Sequence, residues 1–259
     1  MSKKGILAAS FGTSFDETRE KNIGALENEL AQTFKDYKLY SAFTSGMVRK
    51  LLAKKGIETF DAKQMLKKMQ EDGVTQVIVQ PTHLLYGDEF DKLCMQAIES
   101  EYLFKDLKIS TPLLADTQDM RKVLHILNDN VKTQQGEALV LMGHGTQHFC
   151  NSVYGALDYM AKAEGMEHIF VGTVEGYPDF DLMLKQIQRA GYKKVVITPL
   201  MLVAGDHATN DMASKEKTSW KSQFEAAGIE ARCVVKGLGE YPEIRKIYCT
   251  HTMDTIGEK

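Results

Sequence analysis

The chain repeats itself. Val77-Ile78-Val79-Gln80-Pro81 runs on to Gly87-Asp88-Glu89, and Val195-Val196-Ile197-Thr198-Pro199 runs on to Gly205-Asp206-His207. Pro81 and Pro199 stand 118 positions apart, and so do Gly87 and Gly205. Two further loops align: Ala8-Ala9-Ser10-Phe11-Gly12-Thr13 with Leu141-Met142-Gly143-His144-Gly145-Thr146 at an offset of 133, and Thr44-Ser45-Gly46 with Val174-Glu175-Gly176 at 130. Offsets that drift by a few residues are what loop insertions produce between two copies of one unit. The 259 residues then divide into halves of domain size.

Short β-branched runs alternate with longer amphipathic stretches. Strands are expected at 5–10, 38–42, 76–80, 107–110, 138–142, 168–174, 193–198 and 231–235. Helices are expected at 16–33, 62–71, 89–99, 116–130, 151–163, 180–189, 211–226 and 242–253. Such alternation predicts an α/β fold of two similar domains, each a four-stranded parallel sheet flanked by helices. A boundary near residues 134–137 gives domains of 1–134 and 135–259.

Composition narrows the function. A net charge of -3 without a basic arm offers nucleic acid no general attraction. The apolar runs are strand-sized, too short for a membrane span. The run Ile6–Ala9 after two lysines is shorter than the roughly 7–15 residues of an export signal, so a cytoplasmic location is expected. Cys94, Cys150, Cys233 and Cys249 are too scattered for a zinc knuckle and suit reduced, packed thiols.

The aligned loops differ in chemistry. The second half places His144, Glu175 and His207 where the first has Phe11, Ser45 and Glu89. Each loop follows an expected parallel strand, at the sheet edge where open α/β folds bind ligands. Two imidazoles and a carboxylate there are able to hold a first-row divalent metal with coordination positions left open. Taken singly, each residue has a plainer reading. A lone histidine after a strand more often caps a turn, and a lone loop glutamate is usually solvated. His125, His168 and His251 fall inside regular elements and read as packing or surface residues, His148 as a neighbour of His144, and His83 as a loop residue on the side of Glu89. Ser10-Phe11-Gly12-Thr13-Ser14 joins a strand to a helix and is able to cradle an anion, but carries neither Gly-rich nucleotide signature. A weak likeness to a nucleophile elbow leaves a hydrolase built on Ser10 as a distant alternative. The run from Pro199 to Ala204 reads as core or as an apolar pocket wall.

Several of these stretches together carry a family likeness. Ser10-Phe11-Gly12-Thr13-Ser14, Ala42-Phe43-Thr44-Ser45-Gly46-Met47, Met142-Gly143-His144-Gly145 and the block from Pro199 through His207 to Ser214 resemble the anaerobic sirohydrochlorin cobaltochelatases of the CbiK family. Ser219-Trp220 and Ala226-Ala227-Gly228-Ile229 extend the likeness over nearly the whole chain. The resemblance implies a class II chelatase: two α/β domains with a cleft between them, related in fold to protoporphyrin ferrochelatase. It implies ATP-independent insertion of Co(II) into sirohydrochlorin in anaerobic cobalamin synthesis. Metal ligands and catalytic groups would be His144, Glu175 and His207, with His144 accepting a proton. Glu89 matches an acidic cleft residue. With Ser10, Phe11, Gly12 and Thr13 it is assigned to the tetrapyrrole, whose eight carboxylates would meet backbone N–H groups and nearby cations.

The chemistry fits that assignment. Metallation removes two N–H protons from the macrocycle, and imidazole is a better base near neutrality than an ordinary carboxylate. Nitrogen and oxygen ligands with open positions release a metal more readily than a closed thiolate cage. The expected partners are sirohydrochlorin and a divalent metal (cobalt, with iron or nickel as alternatives) acting as substrate. No prosthetic group, nucleic acid or membrane partner is expected, and no oligomeric state follows from the sequence. A ferrochelatase-type activity and a non-catalytic tetrapyrrole or metal carrier are the competing readings.

Overall fold

A computed structural model describes residues 3–257; residues 1–2 and 258–259 of the two expected domain ranges lie outside it. The elements, in order, are β1 (Lys3–Ser10), α1 (Asp16–Arg19), α2 (Ala25–Thr33), β2 (Tyr37–Phe43), α3 (Gly46–Lys54), α4 (Ala62–Glu71), β3 (Val74–Pro81), α5 (Asp88–Ile98), β4 (Asp106–Ile109) and α6 (Thr117–Asn130). They continue as β5 (Glu137–Gly143), α7 (Ser152–Ala163), β6 (Ile169–Thr173), α8 (Phe180–Arg189), β7 (Lys194–Pro199), α9 (Trp220–Ala226), β8 (Glu230–Cys233) and α10 (Pro242–Gly257).

Among the described residues the strands form two four-stranded parallel sheets, ordered β2-β1-β3-β4 and β6-β5-β7-β8. The order is the same in both, as expected of a duplicated unit. All seven residues of β5 are buried, as a parallel strand covered on both faces requires. One core packs Leu7, Val77 and Val79 against Leu66, Met69 and Leu93. The other packs Val140, Met142 and Ile197 against Met183, Trp220 and Phe224.

The sheets separate between residues 130 and 137, but the helices do not respect that boundary. One compact unit takes the chain up to Ala115 together with the segment from Gly239 onward; the other is Asp116–Leu238. Ranges of 1–134 and 135–259 therefore describe the sheets and misplace two helices. α10 belongs with the first sheet because it buries Ile244, Ile247 and Tyr248 there, with Tyr248 OH donating to the Thr82 carbonyl at 2.9 Å and Thr252 Oγ1 to Gln80 Oε1 at 2.7 Å. α6 belongs with the second: it packs on α7, and Arg121 Nε donates to Glu164 Oε1 at 2.6 Å.

Two helical expectations differ from the structure, and one helix is additional. The helix over 16–33 is interrupted by a π-helical turn at Glu20–Gly24. α3 was not anticipated: it opens on Gly46, and its Ser45 cap accepts from Val48 N. The helix expected over 211–226 is two pieces, a π-helix at His207–Met212 and α9, because Ser219 starts a fresh helix by accepting from Ser222 N. No helix of the described residues is long and apolar enough to cross a membrane. All four cysteines are free thiols.

Candidate functional site

The two units build their strand-end loops with the same backbone bonds. In the first, Thr44 N donates to Ser10 O at 2.8 Å, Ser45 N to Phe11 O at 3.3 Å and Thr82 N to Ala9 O at 2.9 Å. In the second, Val174 N donates to Gly143 O at 3.0 Å, Glu175 N to His144 O at 2.8 Å and Leu200 N to Met142 O at 2.8 Å. Phe11 and His144 are thus equivalent, as are Ser45 and Glu175. Gly12 and Gly145 both sit at positive φ, 94° and 82°, where a side chain is strained.

In the second unit His144 and His207 come together. Their rings meet edge to face with centroids 4.6 Å apart. His144 Nδ1 lies 2.8 Å from Gly145 O, and a carbonyl only accepts, so Nδ1 carries the proton and Nε2 keeps its lone pair. His207 Nδ1 lies 2.5 Å from Asp211 Oδ2, which leaves Nε2 in the same condition. Asp211 was not singled out in the sequence, although the four-residue spacing on a helical turn is the pattern that brings such a pair together.

The loop around His144 is tightly held. A Cβ on Gly143 would sit 2.3 Å from the Tyr154 ring, and one on Gly145 would sit 2.5 Å from Gly176 N. Burial pushes the Tyr154 hydroxyl up to about 12, so it stays protonated beside the Gly145 N–H. Asn151 joins two loops: its Oδ1 accepts from Thr146 N at 3.1 Å and its Nδ2 donates to Tyr177 O at 2.7 Å. No sequence pattern marked Asn151 for that role. His148 turns away to accept from Cys150 N at 3.1 Å. His207 opens a π-helix, a geometry frequent at functional sites, anchored by the fully buried Ala208 and Met212.

Glu175 stays apart from this pair. Its backbone bonds to His144, but its side chain is exposed, and no group of three or more His, Cys, Asp or Glu side chains among the described residues is placed to hold a metal. The two imidazoles are assembled; the three-ligand set is not.

In the first unit, Ser10 is fully buried and its Oγ accepts from Thr82 Oγ1 at 2.8 Å, which removes the Ser10 hydrolase alternative. Thr13 is buried as well and accepts from Phe15 N at 3.3 Å. Phe11 is 48% exposed, so of the loop residues Ser10, Phe11, Gly12 and Thr13 only this one presents a side chain of size to solvent. Glu89 stands near His83, and its Oε2 is buried without a hydrogen-bond partner, 3.6 Å from Lys92 Nζ. His83 Nδ1 is likewise buried and unpartnered, and its Nε2 faces Thr44 Oγ1 at 3.3 Å. Burial lowers the His83 pKa to about 4; the Glu89 charge pulls it up and Lys92 pulls it down. His83 is therefore neutral at pH 7.

The duplicated sheets are a chelatase fold. SirB from Bacillus subtilis, solved with Fe3+, superposes with a TM-score of 0.66 at 12% identity, covering 98% of this chain and 96% of that one. The family itself is fixed by sequence: the cobalt chelatase (CbiK) pattern matches residues 4–257, and the chain belongs to that family. It is 41% identical over 251 residues to the sirohydrochlorin cobaltochelatase of Salmonella typhimurium, covering 96% of this chain and 95% of that protein. It is 33% identical over 255 residues to the sirohydrochlorin cobaltochelatase CbiKC of Nitratidesulfovibrio vulgaris, covering 97% and 90%.

Proposed function

We propose that the protein is a cytoplasmic class II chelatase that inserts Co(II) into sirohydrochlorin without ATP, giving cobalt-sirohydrochlorin for anaerobic cobalamin synthesis. Family membership supports the reaction, and the paired imidazoles of His144 and His207 carry the mechanism. Cobalt enters as a substrate and leaves in the product.

The balance is simple. The macrocycle gives up two N–H protons, and the metal gives up its water ligands as four ring nitrogens replace them. His144 and His207 receive the ion through Nε2, the nitrogen each keeps unprotonated. Glu175, joined to His144 by a peptide hydrogen bond, supplies the third ligand when its exposed side chain swings onto the ion. Two imidazoles and one mobile carboxylate hold cobalt loosely enough to surrender it. Once the ion has passed to the ring nitrogens and freed its Nε2, His144 takes one pyrrole proton, a task to which an imidazole is suited near neutrality, and the second proton leaves to water.

The first unit takes the tetrapyrrole. Phe11 offers an aromatic face, and Lys92 supplies a cation for the substrate's carboxylates. His83 Nδ1, buried and without a hydrogen-bond partner, is a polar group that a bound ligand would satisfy.

The test is to mix the protein with sirohydrochlorin and Co(II) and follow the macrocycle's absorption spectrum, with Fe(II) and Ni(II) as parallel arms. Faster metallation than in the protein-free mixture, over many turnovers, is the expected result. One turnover and a stop would make the protein a carrier, and no acceleration would end the chelatase reading.

A further inference from the structure

Beyond the ligand set, the geometry points to Asp211 as a positioning residue that fixes the tautomer and ring orientation of His207. The inference rests on the proposed role of His207 in receiving the metal. The carboxylate oxygen Oδ2 lies 2.5 Å from Nδ1. A carboxylate that accepts there forces the ring proton onto Nδ1 and leaves the Nε2 lone pair for the metal. It also makes the imidazole more electron-rich, as a carboxylate behind a metal-binding histidine does.

The site treats its two histidines differently. His144 is oriented by the Gly145 carbonyl, which its own loop supplies and no substitution removes. His207 has no such backbone partner at Nδ1 and depends on one side chain. Asp211 reaches it because both lie on the π-helix, whose buried Ala208 and Met212 hold the turn against the core.

Asp211 does no packing that would confuse a test. Its side chain is 42% exposed, and it lines a pocket of about 330 Å3 with Thr173, Asp179 and Trp220. Removing the carboxylate therefore enlarges an existing hollow and leaves the core intact.

Nitrogen-15 correlation spectra at pH 8 read the tautomer directly, and steady-state metallation reads its consequence. In the wild-type protein His207 should carry its proton on Nδ1; in Asp211→Ala the population should move toward the Nε2–H form. kcat/KM for Co(II) should fall about 10–100-fold in Asp211→Ala. KM for sirohydrochlorin and the thermal midpoint should stay at wild-type values. Asp211→Asn should recover part of the loss, since its Oδ1 still accepts from Nδ1–H. A wild-type His207 protonated on Nε2 overturns the proposal, as does an Asp211→Ala protein that metallates at the wild-type rate. So does a loss of rate that tracks a lowered thermal midpoint with the tautomer unchanged. If wild-type protein fails to metallate sirohydrochlorin, the chelatase reading falls, while the spectra still decide whether Asp211 sets the His207 tautomer.

Discussion

His144 directly follows β5 and His207 opens the π-helical turn beyond the loop that leaves β7, and their rings meet edge to face with centroids 4.6 Å apart. The turn after β5 and the π-helix that follows β7 set that distance, and an acceptor on each Nδ1 sets which nitrogens are available. The pair is therefore a property of the scaffold and exists before any ion arrives.

His144→Ala and His207→Ala should each slow metallation by at least about 100-fold, the usual scale for losing a positioned acid–base group. Neither ring is buried, so far-UV circular dichroism should not change. Initial rates within twofold of wild type for either variant would remove that residue from the mechanism.

The loop beneath His144 should tolerate no side chain. Gly145→Ala combines positive φ with a contact of 2.5 Å to the Gly176 nitrogen and should cost about 3 kcal/mol or more. Gly165→Ala has a similar φ of 80° and nothing within 4 Å, so about 1 kcal/mol is expected from backbone strain alone. Urea denaturation of the two variants separates crowding from strain; equal losses would contradict the account.

Asn151 ties the His144 loop to the Tyr177 loop through one accepted and one donated bond. Asn151→Ala should lose about 1–3 kcal/mol of stability and about tenfold in rate, whereas Asn151→Asp keeps the acceptor and should fall between. A wild-type denaturation midpoint and rate in Asn151→Ala would show that the clamp is idle.

His83 gives the fold an acid weakness. Its pKa is about 4 in the folded protein against an ordinary 6.5, so the unfolded chain binds a proton that the folded chain refuses. The sign follows from linkage: stability is intact above about pH 6.5 and is lost as pH falls toward 4, by about 3 kcal/mol at the full extent. His83→Gln should flatten that part of the pH–stability profile relative to wild type. Parallel profiles would mean that the neutral ring contributes nothing.

The duplication was legible because strand ends repeat their residues in register, and the structure repeats their backbone bonds at those positions. Metal-competent side chains announce themselves by type, which is why His144 and His207 could be picked out from spacing. What stayed hidden depends on tertiary contact. α6 and α10 join the units opposite to their order along the chain, and nothing in an amphipathic helix states which unit it will join. Asn151 and Asp211 matter through single hydrogen bonds to loops and rings, and such bonds leave no periodic trace. The exposed side chain of Glu175 is a further case: spacing placed it at the right strand end without fixing where its carboxylate points.

The account stands most directly on the two imidazoles acting as one unit. Steady-state metallation of excess sirohydrochlorin by Co(II) should be compared for wild type, His144→Ala, His207→Ala and the double variant. Groups that act together are not additive, so the double variant should be no slower than the slower single one. Small losses that simply multiply in the double variant would contradict it.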